Sequence, residues 1–169
     1  MKKTITILLA LIMLLSLAAC GGTAADSTVS TTASAGETNS GTMEVTDLKG
    51  RTVTLPANIE RVVVTFNLEE YLAVTGEAGV DKLVGWSHKY WKGRRDDAYN
   101  AYTKALPAME SIPDVGYNGD ISIEAIISLQ PDVVLASATG ANYNALEPAF
   151  DLLHQAGIEV VFFNFHKQT

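Results

Sequence analysis

The stretch from Trp86 to Arg95 holds the side chains of this sequence that are best suited to contact a ligand. Its sequence, WSHKYWKGRR, has four Lys or Arg residues, three aromatic residues and no acid, in a chain of 169 residues with a formal net charge of −7. Aromatic rings offer flat apolar faces, and arginine offers forked donors that suit carboxylates, phosphates and catecholates. The stretch therefore predicts contact with a flat-sided, anionic ligand. The alternative is a solvated loop in which Asp96 and Asp97 neutralise Arg94 and Arg95.

The remaining pattern predicts an α/β domain that positions this stretch. A hairpin is expected from Glu44 to Leu55, closed by a turn at Lys49-Gly50. Four apolar runs suit strands that are buried on both faces, and helical patterns alternate with them. The strands are expected at residues 61–66, 82–86, 132–136 and 158–163, and the helices at 68–75, about 95–106, 122–129 and about 143–156. This alternation predicts a Rossmann-like lobe, with a mainly parallel sheet flanked by helices.

The ligand crevice of an open parallel sheet lies beyond the carboxyl ends of its strands. Loops are expected at that edge at residues 65–68, 86–95, 116–119 and 137–144. This location places the basic stretch on the rim of the crevice. We therefore expect ligand contacts from Phe66, Asn67, Trp86, His88, Tyr90, Trp91, Arg94, Arg95, Tyr117, Asn118 and Thr139.

The histidines raise the alternative of a metal-ion carrier. A zinc site needs three or four ligands that converge at about 2.0 to 2.3 Å. The sequence has three histidines, His88, His154 and His166, and His154 falls in a predicted helix far from the rim. We therefore expect no metal site, although His88 remains open as a ligand to a haem iron or a corrinoid, or as a polar loop residue.

Catalysis and nucleic-acid binding receive little support from the sequence. It has no nucleophile elbow, phosphate-binding loop, dinucleotide fingerprint or zinc-protease motif. Residues 137–140, Ser-Ala-Thr-Gly, could hold an anion through backbone donors, but no base accompanies them. The acidic net charge argues against a nucleic-acid partner. We expect a binding protein with no enzymatic activity and no cofactor, and a hydrolase-type surface enzyme is the alternative.

The amino-terminal residues predict export and a membrane anchor. Lys2 and Lys3 precede an apolar run at residues 5–19, which at about 22 Å is too short to span a hydrocarbon core of roughly 30 Å. The run ends in Leu-Ala-Ala-Cys, which resembles the lipobox of bacterial lipoproteins. That resemblance implies that residues 1–20 are a signal peptide and that Cys20 carries the lipid; an unmodified free thiol is the alternative. Residues 21–42, rich in Gly, Ser, Thr and Ala, predict a disordered linker.

Six segments carry a more specific resemblance. They are DLKGRTVTLP at 47–56, ERVVV at 60–64, KLVG at 82–85, PDVG at 113–116, IEAIISLQPDVV at 123–134 and AGIEVV at 156–161. In this order they resemble the substrate-binding proteins of ABC importers for iron complexes, haem and cobalamin. Such proteins have two α/β lobes joined by a long helix, with the ligand held between the lobes. The resemblance implies that residues 43–165 are an amino-terminal lobe, that residues 166–169 begin the linker helix, and that the sequence is a fragment without the second lobe. A complete one-lobe protein is the alternative.

The same resemblance implies roles for individual residues. Glu124 matches an acidic residue that in relatives pairs with arginines of the permease, although a charge that only complements the helix dipole is the alternative. Tyr117 and Asn118 match a loop that often holds a ligand-contacting aromatic residue, and a turn role for Asn118 remains open. The expected protein is lipid-anchored and extracytoplasmic, and it passes an iron-siderophore-type complex to an ABC permease. A corrinoid such as cobalamin, or haem, is the alternative ligand.

Overall fold

Two sheets form within residues 41–164, the part of the chain that the computed structural model describes. The predicted signal peptide, nearly all of the predicted linker and residues 166–169 lie outside the described residues. The smaller sheet is an antiparallel hairpin of β1 (Thr42–Thr46) and β2 (Thr52–Pro56). Within 41–164, no helix combines the length and the apolar character that crossing a membrane requires.

The main sheet is parallel, and its strand order is β4-β3-β5-β6. Its strands are β3 (Val62–Val64), β4 (Leu83–Trp86), β5 (Val133–Ser137) and β6 (Glu159–Phe163). All three valines of β3 are buried because helices cover both faces of the sheet, as the unbroken apolar run predicted. The predicted fold class, an α/β lobe with a parallel sheet and a small amino-terminal hairpin, is confirmed.

Successive residues of each strand point into different cores. Val62 and Val64 pack in one cluster together with Tyr71 and Tyr99, whereas Val63 packs in the other cluster together with Ile126. The helices divide accordingly. The first face is covered by α1 (Leu68–Thr75), α2 (Ala78–Lys82), α3 (His88–Arg94) and α4 (Asp96–Ala105), and the second by α5 (Ile123–Leu129), α6 (Gly140–Leu146) and α7 (Phe150–Gln155).

A partly buried ion pair fastens the hairpin to the edge strand β6. The Arg51 guanidinium donates to Asp47 Oδ2 and to the Val160 carbonyl, each at 2.6 Å, and its centre lies 4.5 Å from the Phe150 ring centroid and 5.0 Å from that of Phe162. Asp47 also accepts hydrogen bonds from the backbone N–H groups of Lys49 and Arg51. Burial acts to raise the pKa of Asp47, but these bonds and the Arg51 charge lower it below its ordinary value overall.

Helix α5 begins as the sequence predicted. The Ser122 hydroxyl accepts a hydrogen bond from the Ala125 N–H at 3.2 Å, which is the expected N-cap. The helix ends at Leu129, and Gln130, which follows it, adopts the left-handed conformation. Asp132 then accepts hydrogen bonds from the N–H groups of Glu60 and Arg61, both at 2.8 Å, so it joins the start of β5 to the start of β3.

Three assignments made from the sequence are wrong. The basic stretch is mostly helix α3 rather than a loop, because Asp114, 25 residues away, accepts the Lys89 N–H at 2.9 Å near the start of that helix. The helix expected at 143–156 is divided by a 3₁₀ turn at Glu147–Ala149, since Pro148 has no N–H to donate. The loop expected at 137–144 is cut short by α6, which begins at Gly140.

Candidate ligand-binding site

Two clefts open at the edge of the main sheet where its parallel strands end. The first, which we call the Asn67 cleft, has a volume of about 340 Å³ and is lined by Phe66, Asn67, Glu69, Glu70, Tyr90, Trp91, Arg95, Ser137, Thr139 and Asn164. The second, the Arg94 cleft, has a volume of about 410 Å³ and is lined by Lys89, Tyr90, Gly93, Arg94, Asp114, Gly116, Tyr117 and Asp120. Residues that follow β3, β4, β5 and β6 therefore meet at one edge, as the topology requires.

An aromatic ridge separates the two clefts. Tyr90 lines both of them, and its ring centroid lies 5.2 Å from that of Phe66 and 4.4 Å from that of Tyr117. All three rings are half-buried, so each packs on the lobe and also presents a surface to the clefts. We call these three residues the aromatic ridge. Together they provide an apolar surface on which a flat-sided ligand can stack.

Asn67 places an unused hydrogen-bond acceptor at the floor of its cleft. The residue is only 3% exposed, and its Oδ1 has no hydrogen-bond partner within residues 41–164. A buried acceptor without a partner costs roughly 1–3 kcal/mol. Asn67 directly precedes α1 without capping it through its side chain. The amide oxygen of this cleft-lining residue is therefore an unsatisfied acceptor that is closed off from solvent.

The two neighbouring arginines lie in different clefts and have different surroundings. Arg95 lies in the Asn67 cleft, where Nη2 is 3.4 Å from Glu69 Oε1 and Nε is 3.8 Å from Asp97 Oδ1. Arg94 lines the other cleft, is exposed, and forms no ion pair with any residue in the described part of the chain. The alternative role, an arginine neutralised by acidic neighbours at the surface, thus describes Arg95 but not Arg94.

Carboxylates dominate the electrostatics of the Asn67 cleft. It is lined by two of them, Glu69 and Glu70, against the single guanidinium of Arg95. Their effect extends to Tyr102, whose ring centroid lies 6.2 Å from that of Trp91. Burial is the largest cause that raises the pKa of the Tyr102 phenol, and Glu69 and Glu70 raise it further, although Arg95 opposes them.

A buried polar network joins the ends of three strands beneath the clefts. Asn142 is 1% exposed; it accepts a hydrogen bond from the Thr65 hydroxyl at 3.3 Å and donates to Asn118 Oδ1 at 3.0 Å and Thr139 Oγ1 at 3.3 Å. The Ser87 hydroxyl lies against the carbonyl oxygens of Thr65 and Gly116. These contacts hold the loop that carries Tyr117, so the network positions one end of the aromatic ridge.

Eight of the eleven predicted contact residues line the clefts, and three do not. Trp86 is fully buried in β4, where its Nε1 donates to the Met109 carbonyl at 3.2 Å. The helical course of α3 turns His88 inward, with its ring centroid 5.8 Å from that of Trp86. Asn118 has a positive φ of 50° and accepts from Asn142, so its role is in the turn. Trp86 and His88 therefore do not lie where the prediction placed them.

Sequence reasoning missed Glu69, Glu70 and Asn142. The two glutamates occupy the first turn of α1, directly after the predicted loop at 65–68, and that position was the signal for their place on the rim. Asn142 lies three residues after Thr139, in a stretch that the sequence presented as a loop, so its burial had no signal of its own.

Of the residues with other predicted roles, Glu124 is exposed in the first turn of α5, and His154 pairs with Glu159. In the described part of the chain, no group of three or more His, Cys, Asp or Glu side chains is arranged to hold a metal ion.

Comparison with known proteins places this architecture in a family. A family model described as "periplasmic binding protein" matches residues 64–169, more than half of the chain. A search of curated proteins finds no match. Among solved structures, the TroA-like periplasmic binding protein FepB from Veillonella parvula is 27% identical, with a TM-score of 0.65 over 73% of this chain and 37% of its own.

Two further solved structures share the fold at lower identity. The molybdate periplasmic binding protein MolA of a Haemophilus influenzae ABC transporter is 24% identical, with a TM-score of 0.57 over 75% of this chain and 36% of its own. The haem binding protein HmuT is 18% identical, with a TM-score of 0.51 over 80% of this chain and 38% of its own. The present chain thus spans little more than a third of the length of each. With the parallel lobe, the hairpin and the match over residues 64–169, the chain belongs to the periplasmic binding protein family, a family of binding proteins rather than enzymes.

Proposed function

We propose that this protein is an extracytoplasmic substrate-binding protein that captures an iron-siderophore-type complex and delivers it to an ABC importer. The observation that carries the proposal is the aromatic ridge of Phe66, Tyr90 and Tyr117, which stands between two polar clefts at the carboxyl edge of the parallel sheet. Family membership supplies the class of protein, and the ridge argues for the kind of ligand.

Three adjacent rings suit a chelate better than a small ion. An oxyanion such as the molybdate held by MolA is recognised mainly through hydrogen bonds and has no flat face to stack. An iron chelate or a porphyrin presents a broad, partly apolar surface to stack on aromatic rings, with polar groups at its periphery. The ridge and its flanking polar side chains match that description. Haem, the ligand named for HmuT, and a corrinoid are therefore the alternatives within this function.

Two further parts of the proposal concern the membrane. The Leu-Ala-Ala-Cys sequence supports cleavage before Cys20 and its lipidation, and the residues between Cys20 and β1 would then tether the lobe to the membrane surface. A flexible chain of that length has a mean reach of roughly 25 Å. The exposed carboxylate of Glu124, at the start of α5, supports docking to basic residues of the permease.

Ligand titration of the full-length chain tests the proposed function. The Trp91 ring centroid lies 5.9 Å from that of Tyr90, and Trp91 lines the Asn67 cleft, so a ligand stacked on the ridge should quench tryptophan fluorescence. The probes are a ferric trihydroxamate, a ferric tricatecholate, haem and cobalamin. We expect quenching and a higher melting temperature with an iron chelate. If none of the four probes changes either signal, the uptake function is wrong.

A variant pair tests the role of the ridge in that binding. Tyr90→Ala removes the central ring, and we expect the affinity for the bound probe to fall at least tenfold, about 1.4 kcal/mol. Tyr143→Ala is the control, because Tyr143 is also a half-buried tyrosine but lines neither cleft. Equal affinities of the two variants would show that the ridge does not hold the ligand.

A further inference from the structure

The two clefts on either side of the aromatic ridge differ in charge, since Lys89 and Arg94 balance two carboxylates in one, whereas Arg95 faces two carboxylates in the other. In the Arg94 cleft, the Lys89 ammonium lies 3.5 Å from Asp114 Oδ2, whereas Arg94 has no ion-pair partner in the described part of the chain. Asp120 is the second carboxylate of that cleft and is exposed. The guanidinium of Arg94 is thus the charged donor that this side of the ridge can offer to an anionic oxygen.

The Asn67 cleft offers acceptors instead. The Arg95 guanidinium is shared between Glu69 and Asp97, and the cleft carries one more carboxylate than guanidinium. The unpartnered Oδ1 of Asn67 adds a neutral acceptor that is already removed from water. An ammonium or amide N–H that reaches this oxygen would satisfy it without breaking a protein hydrogen bond to it. An anionic group placed here would meet Glu69 and Glu70 and would have to break the Arg95 pair.

We propose that the site selects chelates with two unlike ends, an anionic oxygen group that binds Arg94 and an ammonium or N–H group that binds Asn67. The chelate core lies across the aromatic ridge between them. This inference rests on the proposed function and narrows its ligand class. It assigns the anion contact to Arg94 alone, although the sequence presented Arg94 and Arg95 as equivalent.

Four ferric trihydroxamates that share one linear core provide the test. One carries a free terminal amine, one the acetylated amine, one a terminal carboxylate made by succinylating the amine, and one both a free amine and a carboxylate at opposite ends. Binding to the full-length chain is measured by fluorescence quenching at low ionic strength. We expect the two-ended compound to bind most tightly, at least tenfold more tightly than the acetylated compound.

Single variants assign each end to its cleft. Arg94→Gln should abolish the preference for the carboxylate and keep the preference for the amine, and Asn67→Leu should do the reverse. Lys92→Gln is the matched control, because Lys92 is an exposed cation on the same helix that lines neither cleft. Arg95→Gln should leave the carboxylate preference intact, because Arg95 is already paired.

The outcomes separate this inference from the function on which it rests. If all four compounds bind with equal affinity, the two-ended selection is wrong and the capture of iron chelates stands. If Arg95→Gln rather than Arg94→Gln abolishes the carboxylate preference, the assignment of the clefts is wrong. Binding of none of the four would overturn trihydroxamate capture and this inference together. Selective binding of haem or the tricatecholate in the earlier titration would then preserve the transport function alone.

Discussion

Replacing Asn67 by leucine should make the ligand-free protein more stable, although Asn67 is a buried polar residue. Leucine shares the branched shape of asparagine and needs no hydrogen bond, and its larger methyl groups have room because Asn67 lines a cleft. The substitution removes an amide oxygen that has no partner within residues 41–164. The cost of such an acceptor is roughly 1–3 kcal/mol, so we expect the free energy of unfolding to rise by about 1 kcal/mol or more. For a domain of this size, the corresponding increase in melting temperature is roughly 3–5 °C per kcal/mol.

Asn142→Leu is the matched comparison, because Asn142 is equally buried at the same edge of the sheet but fully engaged. The substitution removes three hydrogen bonds, worth about 0.5–1.5 kcal/mol each, and leaves the fully buried Thr65 hydroxyl without its acceptor. We expect a loss of about 3–5 kcal/mol. The same change of side chain, at the same burial, should therefore move stability in opposite directions.

Urea unfolding of both variants and the parent, followed by circular dichroism at pH 7 without ligand, measures the difference. The urea concentration at the unfolding midpoint should be highest for Asn67→Leu, intermediate for the parent and lowest for Asn142→Leu. The slopes of the three transitions should be similar. A loss of stability in Asn67→Leu that approaches the loss in Asn142→Leu would refute the reasoning. It would show that the fold or bound water already satisfies the Asn67 oxygen, so that it does not wait for a ligand.

Two other predictions concern the hairpin and the permease. Because the pKa of Asp47 is lowered in the folded protein, its carboxylate stabilises the fold above the ordinary value of 3.8, and this contribution is lost as the pH falls through the lower folded-state pKa. Asp47→Asn should therefore cost roughly 1.5–3 kcal/mol at pH 7 and progressively less below about pH 4, as measured by urea midpoints; a difference independent of pH would contradict this. Glu124→Gln should leave chelate affinity unchanged but slow chelate uptake by cells. Glu110→Gln, another exposed glutamate, is the control, and equal uptake by both variants would remove Glu124 from the docking surface.

The fold could be predicted largely because its signals are local. The apolar runs of β3 to β6, the Ser122 cap and the Gly50 turn act within a few residues, and each appears where expected. Helix α3 could not be predicted, since Asp114 near its start comes from a loop 25 residues later. The division at Pro148 had a local signal, because proline cannot continue the hydrogen-bond ladder, yet the apolar pattern on both sides favoured one helix.

The candidate site lies at the edge of the sheet that the sequence predicted, but its detail could not be predicted. The topological rule placed the loops after the strands, and eight of the expected residues line the clefts. The difference between Arg94 and Arg95 could not be predicted, because Arg94 is the last residue of α3 whereas Arg95 lies between α3 and α4. Trp86 was misplaced because strand alternation, and not composition, decides which face of β4 a residue occupies.

The ion pair between Asp47 and Arg51, through its contacts with β6, has a consequence for the order of folding. The bond from Arg51 to the Val160 carbonyl joins residues 109 apart in sequence, and the one from the Phe162 N–H to Asp47 joins residues 115 apart. Contacts of such long range form late, because they must wait for the intervening chain to close. The hairpin of β1 and β2 can therefore be bonded to the main sheet at this point only after β6 has been synthesised. In a chain that crosses a membrane amino terminus first, the contacts of Arg51 and Asp47 with β6 can form only after β6 has emerged.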